Sequence, residues 1–145
     1  ARSVDLTSNA WAYHGLACLY LKSDPEKAKQ FIMEGMALQR ERLSYQKEGF
    51  KILEKCGAYK EIDEEYKKQT AENQKNGRIQ YYYVAALAKL ERNEEAYHLL
   101  NDGDGIDVSD IREGDSDIQS IWESLHEKVY GEKGHLPHYY NFKVN

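Results

Sequence analysis

Proline and cysteine are both scarce here, with only two of each in 145 residues. Proline interrupts helices by removing an amide donor and crowding the preceding turn, so its scarcity leaves nearly the whole chain free to be helical. Two cysteines are too few for a disulfide scaffold, and Cys18 and Cys56 stand one turn out of register, which predicts packed free thiols in a reducing compartment. No apolar run approaches bilayer length and no charged-then-apolar leader stands at Ala1, so neither a membrane nor a secretory route is expected. Basic residues are outnumbered, 20 against 25, for a net charge of -5. That balance disfavours a partner bound through its phosphate backbone, and nucleic acid is not expected. A Gly-x-Ser-x-Gly elbow, a P-loop and a dinucleotide fingerprint are all missing, and no nucleophile, base and orienting group can be assembled. The chain alone is therefore expected to be non-catalytic, without cofactor or metal, and cytoplasmic.

What the sequence does have is an interval of 34. Ala28, Ile62 and Ala96 are spaced by it, as are Leu19, Leu53 and Leu87, and Leu16, Phe50 and Val84; Gly15 and Gly49 keep it too. Each period holds two helical patterns, and such a hairpin cannot bury its apolar face without stacking on a copy of itself. In the first period Trp11, Gly15, the run from Ser23 to Ala28, then Ile32 and Gly35 or Met36 mark the pattern. Tyr45, Gly49, Gly57, Ile62 and Tyr66 mark the second, and Ile79, Tyr83, Ala96 and Leu100 the third. These columns resemble the tetratricopeptide repeat family, although the 13 residues from Gly15 to Ala28, and again from Gly49 to Ile62, are one more than the family pattern. The resemblance implies an all-α superhelix of about three helix pairs plus a C-terminal capping helix, with a concave face that binds a peptide or another domain.

Local signals divide the chain into repeats at about 8–41, 42–76 and 77–101, a loop at 102–115, a capping helix at 116–130 and a tail at 131–145. The first helix is expected to start after a Thr7 or Ser8 cap. Asp24 with Pro25 opens the second, because a proline in the first helical position gives up an amide that has no partner there. Ala28, Phe31, Ile32, Gly35 and Leu38 make its apolar stripe. Arg42 to Lys55 reads as a third helix stopped by Gly57, and Tyr59 opens a fourth. Asn76-Gly77 reads as a break before a helix from Tyr81 to Leu90, and Asn93 starts the next. Ser116 with Gln119 reads as a capping box opening the last helix, whose face is Ile118, Ile121, Trp122, Leu125 and Val129 and which Gly131 ends.

Tyrosine is abundant, 12 residues, with Tyr81-Tyr82-Tyr83 the densest run. Successive helical residues point about 100° apart, so one of the three faces the core while another is free to face a groove. Packing between repeats is the simpler role for such rings; lining a peptide or sugar site is the functional one. Tyr13, Tyr20, Gln46, Gln80 and Tyr81 are the candidates for the concave face. The carboxylates from Asp102 to Glu113 suggest a calcium loop, but Ile106 occupies a ligand place and Asp107 the place of the turn glycine, so a solvated turn with little to bury is expected. His135 and His138 lack the cysteine or carboxylate neighbours that a zinc site needs.

Asp110-Ile111-Arg112-Glu113-Gly114-Asp115, Ile121-Trp122, Leu136-Pro137 and Asn141-Phe142-Lys143-Val144 resemble the end of bacterial multidomain proteins that carry a galactose-mutarotase-like β-sandwich ahead of tetratricopeptide repeats. The resemblance implies that the chain is the C-terminal part of a longer protein. It also implies an alternative role, as the accessory C-terminal domain of a carbohydrate-active protein whose upstream domain is its partner. Arg112 and Glu113, with Trp122, are read as structural: an arginine fork there would tie the loop to a carboxylate or to helix-end carbonyls.

Overall fold

The computed structural model describes residues 6–102, 105–106 and 118–132. These form α1 (Leu6–Tyr20), α2 (Pro25–Leu38), α3 (Leu43–Lys55), α4 (Tyr59–Lys67), α5 (Ala71–Gln74), α6 (Gly77–Lys89), α7 (Asn93–Asn101) and α8 (Ile118–Tyr130), with no strand among the described residues. The fold class is all-α. The chain gathers into two compact units, Ala1–Asn73 and Gln74–Asn145.

Within the first unit α1 packs most extensively on α2, α3 lies on α2 and touches α1, and α4 packs on α3. The second unit is built alike: α6 packs on α7, and α8 lies on α7 and touches α6. Small residues permit the close approaches. A β-carbon at Gly35 would overlap the Tyr45 hydroxyl, which donates a hydrogen bond to the Ala10 carbonyl, and one at Gly49 would overlap the Met36 side chain. Ala28, Ile62 and Ala96, at the expected interval, are all fully buried.

The interval is also visible in the backbone. Gly57 N donates to Glu54 O and Ala58 N to Leu53 O, both at 2.9 Å; in the next turn Glu91 N donates to Ala88 O at 3.2 Å and Arg92 N to Leu87 O at 2.9 Å. Gly57 has φ +70° and Glu91 has φ +63°. Ala58 at φ −88°, ψ 61° is matched by Arg92 at φ −92°, ψ 64°. This left-handed closure of a helix end suits glycine and strains glutamate.

Several expectations change. Helix is interrupted at Lys75 and Asn76 as expected, but the next helix begins at Gly77 and not at Tyr81: the Asn76 side-chain oxygen accepts from Arg78 N at 3.0 Å and Ile79 N at 3.1 Å and caps it. Asn-Gly is a turn signal, but asparagine is equally a helix cap, and here capping wins. Thr7 and Ser8 lie inside α1. The single-turn α5 has no counterpart among the helices that the sequence predicts, and Ile106 is buried although the composition of its loop predicts little to bury. Cys18 is exposed and Cys56 half-buried, both free thiols, so Cys18 is not packed as expected. Leu16 and Leu19 are exposed, although their column-mates Phe50, Val84, Leu53 and Leu87 are buried. Asp24 and Pro25 open α2 as expected, with Asp24 Oδ1 accepting from Lys27 N at 3.2 Å. Gly131, with φ +74°, stands just past the end of α8. Ser116, Arg112, Glu113, His135, His138 and the aromatic tail lie outside the described residues.

Candidate functional site

Tyr13 and Tyr20 are seven residues apart, two helical turns, and so project from one side of α1. Phe31 of α2 comes between them in space: its ring centroid is 6.2 Å from that of Tyr13 and 5.8 Å from that of Tyr20, the latter pair stacked at 30°. All three rings are half-buried. The Lys27 ammonium lies 4.7 Å from the Tyr20 ring centroid, a cation–π contact that holds a positive charge at that end of the row. At the other end the Glu34 carboxylate accepts a hydrogen bond from the Tyr13 hydroxyl, and this bond raises the phenol above its ordinary pKa. A row of three rings between a cation and an anion can cover an apolar side chain or a sugar face while pairing with charges on either side of it. The sequence places Phe31 in the apolar stripe of α2 and not with the two tyrosines, and it does not single out Glu34; the signal for the row is the seven-residue spacing of the tyrosines, which asks for a partner between them.

Gln46 is placed differently from Tyr13 and Tyr20. It is fully buried, and its amide nitrogen donates to the carbonyls of Met36 at 3.0 Å and Gln39 at 2.7 Å at the C-terminal end of α2, where each carbonyl also accepts one backbone N–H, from Gln39 and Arg42 respectively. Its oxygen accepts from Gln69 Nε2 at 2.7 Å, and Asn73 Nδ2 donates to Gln69 Oε1 and to the Arg40 carbonyl, each at 3.2 Å. Arg40 pairs with the buried Glu65 carboxylate beside them. These bonds tie the turn between α2 and α3 to Gln69 and Asn73, because buried polar groups must find partners inside the fold. An open groove of about 610 Å³ runs over that turn, but Arg40 and Arg42 along it are engaged with Glu65 and Gln39.

In the second unit Gln80 and Tyr81 are half-buried, with the Tyr81 ring 5.6 Å from that of Tyr82. Trp122 is buried, its Nε1 donating to Asn101 Oδ1 at 2.8 Å and its ring stacked on His126 at 5.0 Å and tilted against Tyr97 at 5.9 Å. Leu125 is buried beside it in sequence on the same face, while Ile121 and Val129 are half-buried. Among the described residues no group of three or more His, Cys, Asp or Glu side chains could hold a metal ion, and no helix is long and apolar enough to cross a membrane. No protein-family model, curated protein or solved structure matches this chain.

Proposed function

We propose that this chain is a non-catalytic protein-interaction module of the tetratricopeptide type, and that Tyr13, Phe31 and Tyr20 are its contact surface. The observation that carries the reading is the half-buried ring row with Lys27 and Glu34 at its ends. Rings fixed in a groove present wide contact area at little further entropic cost, which is why aromatic side chains concentrate binding energy at interfaces. The 34-residue recurrence of the buried Ala28, Ile62 and Ala96 and of the turn geometry supports the repeat-type assignment. A cytoplasmic site of action is part of the proposal, motivated by the two free thiols.

The test is peptide selection from a displayed library on the immobilised chain. Selected sequences should pair an aromatic or long aliphatic residue with an acidic neighbour for Lys27, and Phe31→Ala and Tyr20→Ala should each weaken them by about ten-fold or more with helicity unchanged. Peptides that bind Phe31→Ala as well as the wild type would remove this surface from the reading. The same rings could stack on a sugar, in keeping with an accessory role beside a carbohydrate-active domain; retention on a glycan array, with no peptide enriched, would move the function there.

A further inference from the structure

Three chemistry-bearing side chains come together where α3 touches α1. Cys18 and His14 stand about one helical turn apart, so α1 stacks them on one side. Cys18 Sγ lies 3.9 Å from His14 Nδ1. Across the helix contact, His14 Nε2 lies 3.3 Å from Glu48 Oε1. The imidazole is held edge-on by the Trp11 ring at 5.1 Å and by the Tyr45 ring at 6.3 Å. No such set shows in the sequence alone, because Glu48 reaches His14 only through the packing of α3 on α1.

A carboxylate only accepts, so the contact with Glu48 places the imidazole proton on Nε2 and turns the Nδ1 lone pair towards the Cys18 thiol. A nucleophile within reach of a base, with the base oriented by a third group, is the arrangement by which side chains attack carbonyl carbons. The three do not form a group that could hold a metal ion, because thiol and carboxylate meet different nitrogens of the ring and their donor atoms do not converge.

The surroundings of Cys18, which is exposed, set the class of electrophile. From Leu6 to Tyr20, α1 contains no Asp, Glu, Lys or Arg, and so offers a charged reagent no partner. Trp11, Gly15 and Cys18 fall on one helical stripe, with Leu19 beside it 71% exposed. Nothing lies within 4 Å of where a Gly15 β-carbon would be. The stripe is therefore open from the thiol to Trp11, two turns or about 10 Å, and an alkyl chain laid there would cover apolar surface that now faces water.

We propose that Cys18 is a self-acylation site that takes a medium-chain acyl group from a thioester, the chain lying along Gly15 towards Trp11. Cys18 Sγ attacks the carbonyl carbon while its proton passes to His14 Nδ1, and Glu48 stabilises the imidazolium so formed. The tetrahedral intermediate collapses by breaking the bond to the leaving sulfur, which takes the proton from His14. One thioester is exchanged for another, and nothing is oxidised or reduced. The chain is modified once and does not turn over. The ring row uses other residues, Tyr13, Phe31 and Tyr20, so the two proposals stand or fall separately.

The probe is the octanoyl thioester of N-acetylcysteamine, with incorporation followed by intact mass and located by peptide mapping before and after hydroxylamine. Cys56 is the internal reference, being half-buried, with burial pushing its thiol up. One hydroxylamine-labile octanoyl group should appear on Cys18. His14→Ala should slow this by about a hundred-fold, the lower end of what a positioned base contributes, and free imidazole should restore part of the rate. Glu48→Gln keeps an acceptor for Nε2 and removes the charge; it should slow Cys18 by about ten-fold and leave helicity and the Cys56 rate unchanged. The acetyl thioester should react about ten-fold more slowly than the octanoyl one, because each covered methylene adds to binding. Acylation of Cys18 no faster than that of Cys56, or equally fast in His14→Ala, would overturn the proposal, as would equal rates for the two thioesters. Exchange with cystamine that outpaced acylation would assign the thiol to disulfide chemistry and overturn it as well.

Discussion

Replacing Gly35 by alanine sets two effects of opposite sign against each other, and the packing around α2 decides between them. On an open helix the change stabilises by about 1 kcal/mol, because alanine loses less backbone freedom on folding. Here the new methyl would fall on the Tyr45 hydroxyl and 3.2 Å from the Ala10 carbonyl oxygen. Tyr45 is fully buried and donates to that carbonyl, so it has no free direction in which to swing. Overpacking costs about 1–3 kcal/mol, and breaking the buried hydrogen bond about 1–3 kcal/mol. The expected net effect of Gly35→Ala is destabilisation by about 1–5 kcal/mol, the sum of these ranges less the propensity gain. Tyr45→Phe removes the oxygen that occupies the methyl's place, so the double variant should be more stable than additivity predicts by about 1 kcal/mol. Urea unfolding followed by Trp11 fluorescence in a Trp122→Phe background reads this directly, because the Trp11 ring centroid is 4.8 Å from that of Tyr45. A Gly35→Ala chain as stable as the wild type, or two substitutions that simply add, would refute the reasoning.

Tyr45 also predicts a pH effect: burial pushes its phenol above the ordinary value of 10.0, so the folded state holds the proton more tightly than the unfolded one. That contribution is complete below the unfolded pKa and is lost as pH rises through it towards the folded one, so urea midpoints should fall above about pH 10, less steeply in Tyr45→Phe. Trp122→Ala should cost about 3–5 kcal/mol and promote association, read by thermal melts and sedimentation, since it leaves a cavity and removes the hydrogen bond to Asn101 Oδ1. Asn76→Ala should cost about 1 kcal/mol by equilibrium unfolding, with Asn76→Asp near neutral, because α6 loses two capping bonds in the first and keeps an acceptor in the second.

Much of the architecture was legible because helix ends and apolar spacing are local properties. Asp24 with Pro25, Gly57 and Gly131 each announced a helix end through a backbone requirement that few other residues meet. Exposure was less legible, because spacing records which residues are equivalent and not what covers each one; Leu19 and Leu53 share a column and differ completely in burial. Gln46 looked like a ligand-facing amide because its real partners, the carbonyls of Met36 and Gln39, belong to the backbone and have no letter in the sequence. The ring row was half legible: Tyr13 and Tyr20 lie on one helix and their spacing could be read, whereas Phe31 comes from another helix and required the α1–α2 packing to bring it between them.

The matched turns at Gly57 and Glu91 carry an implication for how such a chain tolerates change. One position uses the residue best suited to a left-handed backbone and the other an ill-suited one, yet the hydrogen bonds on either side are the same. Spelling is thus negotiable at this corner, while length is not. A gained or lost amino acid between two corners would rotate every later side chain on its helix by about 100° and unseat the columns together. Point substitutions should therefore accumulate freely along lineages of this protein, while insertions and deletions should avoid both the helices and these corners or arrive as whole cassettes of one period.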